Sequence, residues 1–191
     1  SGCCAGVSWF ARLGRSFKTK EEKTEIDETN AVAVEAIRKL LADLGAVGRQ
    51  FEFSINQISQ NLHSTEYKAF HQGLKGLGEI LGFYAELPDS DAAPDCIWSI
   101  GTSLYIVHEA KSEHTSSDPI GVKDIRQAQG HDKWLHAYRK FGKDTKILCL
   151  LDSPRITISP EAIPHAESLF HVTPQQLIVL FDEIAGVLRR V

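Results

Sequence analysis

Two carboxylates and a lysine interrupt an otherwise apolar stretch of this chain. Residues 94–111 read PDCIWSIGTSLYIVHEAK, with Asp95 at one end and Glu109 and Lys111 at the other. An unpaired charge at the end of a buried strand costs several kcal/mol, so such charges need a reason. Side chains alternate across a strand, so Glu109 and Lys111 point the same way. Cys96, Ile97, Trp98 and Ile100 favour a strand, as do Leu104, Tyr105, Ile106 and Val107, and Gly101-Thr102-Ser103 between them is turn chemistry. If the loop is residues 101–103, Asp95 lies across the ladder from Glu109, at a Cα separation of roughly 4.5–5.5 Å. Two carboxylates and an ammonium then share one face, which suits a hard divalent cation with a lysine beside the water or phosphate it activates. A two-residue turn at Gly101-Thr102 would pair Asp95 with His108 instead and break the arrangement.

The flanking elements decide what else reaches that face. Residues 27–45 are expected to form a helix capped by Asp27 and ended by Gly45, with Val32, Ala36, Ile37, Leu40, Leu41 and Leu44 as its apolar stripe. Phe51–Ile55 alternates like a short strand or extended link, and Asn56 is expected to cap a short helix through Leu62. A further helix opens at Ser64 or Thr65 and runs to about Leu81, with Phe70, Leu74, Leu77 and Leu81 facing inward. Glu79 in its last turn opposes the helix dipole, which fits either a solvated glutamate or a carboxylate aimed at the same cation. Residues 83–87 read as the first strand of the sheet, and the polar stretch 112–121 as a loop.

Residues 120–140 then form a helix with two faces. Ile125, Ala128, Leu135 and Tyr138 are expected to face the core. Lys123, Gln127 and His131 recur every four residues on another face, with Arg126 and Trp134 nearby. Amide and imidazole groups can bond phosphate, base or water, and Lys and Arg bind phosphate, although an ordinary solvated helix would look the same. Lys146–Leu151 reads as a strand buried on both sides, Leu169–Val172 as a last short strand, and Thr173-Pro174 as the cap and first residue of a helix to about Arg190. Leu177, Leu180, Phe181, Ile184 and Leu188 are its inward set.

At 191 residues, 42% hydrophobic and 24% charged, the chain is ordinary for a globular protein with its own core. No apolar run approaches the ~18–20 residues that span a bilayer, so no membrane is expected. Four cysteines without a CxxC pair argue against a zinc site or disulfide framework and make a reducing cytoplasm the default. The net charge of −4 gives no global pull toward nucleic acid. Locally, residues 120–146 carry seven Lys or Arg against three Asp. Residues 1–25 are basic and aromatic, with adjacent Cys3 and Cys4, and read as a lead-in or linker rather than a contact surface. The absence of methionine suggests a domain of a larger protein.

The order of helix with Glu79, strand, Pro94-Asp95, Glu109-Ala110-Lys111, then a helix with Gln127 resembles the PD-(D/E)XK nuclease superfamily. Thirteen residues separate Asp95 from Glu109. Gln127 followed by His131 resembles the Gln-xxx-Tyr motif of the RecB-like and lambda-exonuclease-like branches, with histidine where tyrosine is usual. The resemblance covers residues 64–151, extends by topology toward 191, and leaves 1–50 as an N-terminal segment ahead of a domain at 51–191. It implies an α/β fold, a restriction-endonuclease-like mixed sheet of about five strands flanked by helices. It also implies a nuclease acting on DNA, with Asp95, Glu109, Glu79 and the Ala110 carbonyl holding Mg²⁺, or Mn²⁺ as substitute. Lys111 and Gln127 complete the catalytic set, and Lys123, Arg126, Gln127, His131 and Lys133 contact nucleic acid. A partner such as a helicase, or a place in a defence system, is compatible with this reading, and a homo-oligomer is neither required nor excluded. Two other readings stand beside it: a non-catalytic binding or assembly module on the same fold, and an unrelated α/β enzyme in which Glu109–Lys111 is a structural ion pair.

Overall fold

A computed structural model describes residues 20–45, 48–112, 117–142 and 144–190. The basic-aromatic start and the Cys3-Cys4 pair lie outside the described residues, as do residues 113–116 of the polar loop. Helix α1, Lys20–Leu44, begins earlier than Asp27, which therefore lies inside it rather than capping it. Ile37, Leu40, Leu41 and Leu44 pack on the main core as their spacing requires.

Helix α2 spans Arg49–Leu62, so the expected extended segment at Phe51–Ile55 is wrong, and Asn56 is interior to the helix. Over five residues the Phe51-x-Phe53-x-Ile55 alternation has period two. Over the whole segment Phe51, Ile55 and Leu62 recur at helical spacing and are buried, while Phe53 is 69% exposed. Burial of the longer pattern decides. Helix α3, Tyr67–Ile80, is capped by Glu66, whose carboxylate accepts from the N–H groups of Lys68 and Ala69 at 3.1 and 2.7 Å, rather than by Ser64 or Thr65. Phe70, Leu74 and Leu77 are fully buried on it. Gly78 lets the sheet approach closely: a Cβ there would meet Trp98 Nε1 at 2.5 Å. That indole N–H donates to the Leu74 carbonyl, 3.0 Å away.

Five strands follow: β1 Tyr84–Glu86, β2 Cys96–Ile100, β3 Leu104–Ala110, β4 Lys146–Asp152 and β5 Leu169–Val172. They lie side by side in chain order. The pairs β1–β2 and β2–β3 are antiparallel, and β3–β4 and β4–β5 are parallel. A parallel neighbour needs a crossover, and helix α4, Val122–Tyr138, supplies it between β3 and β4. The expected five-stranded mixed α/β sheet flanked by helices is thus present.

Alternation sorts the strand residues onto two faces. Cys96, Trp98, Ile106, Leu150 and Val172 pack with α2, α3 and helix α5, Pro174–Leu188. Ile97, Tyr105, Val107 and Cys149 pack with Leu135 of α4. Only the second half of β4, Cys149–Asp152, is buried, so its first half departs from the expectation of burial on both sides. Tyr138, expected in the core, is instead 63% exposed. Helix α5 opens as the sequence predicts, with Thr173 as its cap and Pro174 as its first residue, and Gln176 completes a capping box with Thr173. Among the described residues no helix is long and apolar enough to cross a membrane.

Candidate functional site

The site begins with the β2–β3 turn. Ile100 pairs with Leu104, leaving the three-residue loop 101–103. Gly101 adopts φ +53°, a backbone region where glycine avoids the strain a Cβ would bring. The ladder runs on to Cys96 opposite His108, and the Asp95 N–H donates to the His108 carbonyl at 2.9 Å. Asp95 lies just beyond that last pair, near Glu109, with its side chain turned to the Ala110 N–H.

That geometry gathers six of the expected residues, Asp95, Glu109, Ala110, Lys111, Gln127 and His131. Asp95 Oδ2 accepts from the Ala110 N–H at 2.7 Å. Ala110 thus meets Asp95 through its amide. Glu109 is 1% exposed, and each of its oxygens faces a nitrogen. Oε2 is bonded to His131 Nε2 at 2.6 Å. Oε1 forms an ion pair with Lys111 Nζ at 2.6 Å, although the angle there is not that of a hydrogen bond. Lys111 Nζ also donates to Gln127 Oε1 at 3.3 Å. Gln127 and His131, one turn apart on α4, therefore reach the ends of the same Glu109–Lys111 pair. His131 is buried there and offers no open face to a strand in solvent. Lys123, Arg126 and Lys133 are exposed along α4.

Glu79 lies elsewhere. It pairs with Lys75 at 3.7 Å and lines a hollow with Gln72 and residues 83–87. Burial raises its pKa, and Lys75 opposes that shift. The helical residue that does reach Asp95 is one the sequence reading passed over. His71 Nε2 lies 3.7 Å from Asp95 Oδ1, and that nitrogen is buried without a hydrogen-bond partner. No local spacing announces it, because α3 and β2 meet only in the tertiary structure.

A second buried pair lies beneath the site, on the opposite face of β3. His108 Nδ1 and Asp152 Oδ2 are 2.8 Å apart, both without exposure. The Asp152 carbonyl accepts from the Lys111 N–H at 2.8 Å. Asp152 closes an apolar strand, so the reasoning that singled out Asp95 also applies to it.

Burial raises the pKa of Asp95 first, and the Glu109 charge raises it further; the Ala110 N–H, His71 and Lys111 oppose this. A carboxylate held against a second carboxylate is stabilised by any cation that arrives between them. Among the described residues, no three His, Cys, Asp or Glu side chains already surround one point at metal-binding distance. What exists is a two-donor seat, His71 Nε2 and Asp95 Oδ1, with Glu109 beside it. An orphaned imidazole nitrogen and a carboxylate fit Mn²⁺ readily and Mg²⁺ through its carboxylate oxygens. No protein-family model matches this chain, and no curated protein or solved structure matches it.

Proposed function

We propose that this chain is a metal-dependent nuclease that hydrolyses phosphodiester bonds, with DNA as its substrate. The observation that carries the reading is the β2–β3 hairpin, whose open end brings Asp95, bonded to the Ala110 N–H at 2.7 Å, close to Glu109, with Lys111 Nζ 2.6 Å from Glu109. Asp95 and His71 would hold the cation, with Glu109 as the neighbouring carboxylate. A bound Mg²⁺ or Mn²⁺ supplies Lewis-acid polarisation of a phosphate oxygen and a more acidic water.

The protein's own groups do the rest. Lys111 is held between Glu109 and Gln127, so its ammonium is oriented before substrate arrives and can stabilise charge developing on the phosphate oxygens. Gln127 fixes that ammonium and offers an amide to the attacking water or the phosphate. His131 and Glu109 lock one another in place, so Glu109 acts through a fixed position. Water attacks phosphorus, the bond to the 3′ oxygen breaks, and a 5′-phosphate and a 3′-hydroxyl result.

One observation favours a second reading, a non-catalytic module. Both Glu109 oxygens are already engaged, by Lys111 and His131, as in a structural ion network. The deciding experiment is incubation with labelled single- and double-stranded DNA and RNA in Mg²⁺, Mn²⁺ or EDTA, for wild type and Lys111→Ala. Cleavage is expected only with a cation and to fall by at least ~100-fold in the variant, the scale of losing one preorganised charge donor. Undiminished cleavage by folded Lys111→Ala would sink the assignment, and no cleavage by wild type under any condition would favour the module.

A further inference from the structure

Lys123, Gln127, Trp134 and Tyr138 follow one another along α4 at spacings of four, seven and four, so they lie on a single face of the helix. At 1.5 Å per residue the stripe is about 22 Å long. Gln127 joins it to the candidate site by accepting from Lys111 Nζ at 3.3 Å. At the far end the rings of Trp134 and Tyr138 lie 4.8 Å apart and tilted by 31°. The Arg139 guanidinium sits 5.5 Å from the Trp134 ring centre. Arg139 is itself bonded to Glu86. Glu86 stands opposite Ile97, two residues along β2 from Asp95. The stripe therefore meets the candidate site at Gln127, and its far end is tied to β1 through Arg139 and Glu86.

Its surface chemistry is one-sided. Lys123, Arg126, Lys133 and Lys140 are exposed. Of the two aspartates on the helix, Asp124 is taken up by Arg155 at 2.9 Å and Asp132 lies 3.6 Å from His136. Tyr138 is 63% exposed, yet its ring is held in place by Trp134.

We propose that this face of α4 is a track for an unpaired nucleic-acid strand, with a base stacked on Tyr138 and the phosphates running past the cations toward Lys111. The proposal rests on the nuclease reading and specifies its substrate as single-stranded. A duplex hides the faces of its bases, whereas an unpaired strand offers them to an aromatic ring and its backbone to a row of cations. Such binding needs no base-edge readout.

The test is fluorescence anisotropy with the full chain in EDTA, where no strand is cut. The probes are labelled oligo(dT), oligo(rU) and a DNA duplex of the same length. Wild type is expected to bind either single strand more tightly than the duplex. Tyr138→Ala should weaken single-strand binding about tenfold, and Tyr138→Phe should restore it. Equal binding by Tyr138→Ala, preference for the duplex, or no binding of any strand would overturn the track. The outcome separates from the nuclease reading: Lys111-dependent cleavage of duplex alone would keep that reading and remove the track, and Tyr138-dependent binding without cleavage would do the reverse.

Discussion

His131 Nε2 lies 2.6 Å from Glu109 Oε2, and the two side chains are 2% and 1% exposed. The imidazole is what allows a carboxylate to be this deeply buried one strand residue from an apolar core. Removing one partner of a buried pair strands the other. His131→Ala is therefore expected to cost about 3 kcal/mol of stability, less than a lone buried charge would because Lys111 remains. Urea denaturation measures this, and a loss under about 0.5 kcal/mol would mean that Glu109 relaxes to solvent.

The seat between His71 and Asp95 makes a prediction that separates two helical residues. A ligand that binds only the folded state stabilises it, by about 2.7 kcal/mol at ~100 Kd. Mn²⁺ should raise the Tm of wild type, and the rise should be lost in His71→Ala and in Asp95→Ala. It should persist in Glu79→Gln, because Glu79 is drawn to Lys75 rather than to Asp95. A rise that vanishes in Glu79→Gln and survives in His71→Ala would reverse the assignment.

Asp95 also sets a pH dependence in the absence of cation. Burial and Glu109 raise its pKa in the folded state, so the native protein holds that proton more tightly than the unfolded chain does. As the pH rises from the ordinary aspartate range to the raised value, the unfolded state ionises first and stability falls; above the raised value the cost is constant. Asp95→Asn keeps an acceptor for the Ala110 N–H and removes the repulsion. The metal-free variant should be the more stable protein at pH 7, by up to about 1 kcal/mol, with the advantage vanishing near pH 4. Chemical denaturation at the two pH values reads it, and a variant less stable than wild type at pH 7 would contradict the cause given for the shift.

Much of the fold is written in local patterns. The hairpin, its three-residue loop and the alternation of its side chains follow from strand formers around Gly101-Thr102-Ser103, and the register followed from the loop. Thr173-Pro174 announced α5 for the same reason, since a cap and a proline act within one turn. In the segment 51–55 a five-residue window holds both periods, and only burial of Phe51, Ile55 and Leu62 in the main core selects the helix.

The candidate site divides along the same line. Asp95, Glu109 and Lys111 were legible in the chain, because strand pairing and alternation bring them together at short range. Gln127 and His131 were legible as one helix face, but their division of labour was not: His131 is buried on Glu109, and Gln127 is left to hold Lys111. That depends on where α4 crosses the sheet. The exchange of Glu79 for His71 was decided by tertiary structure alone. Both belong to α3, and helical periodicity does not say which turn of that helix packs beside the end of β2.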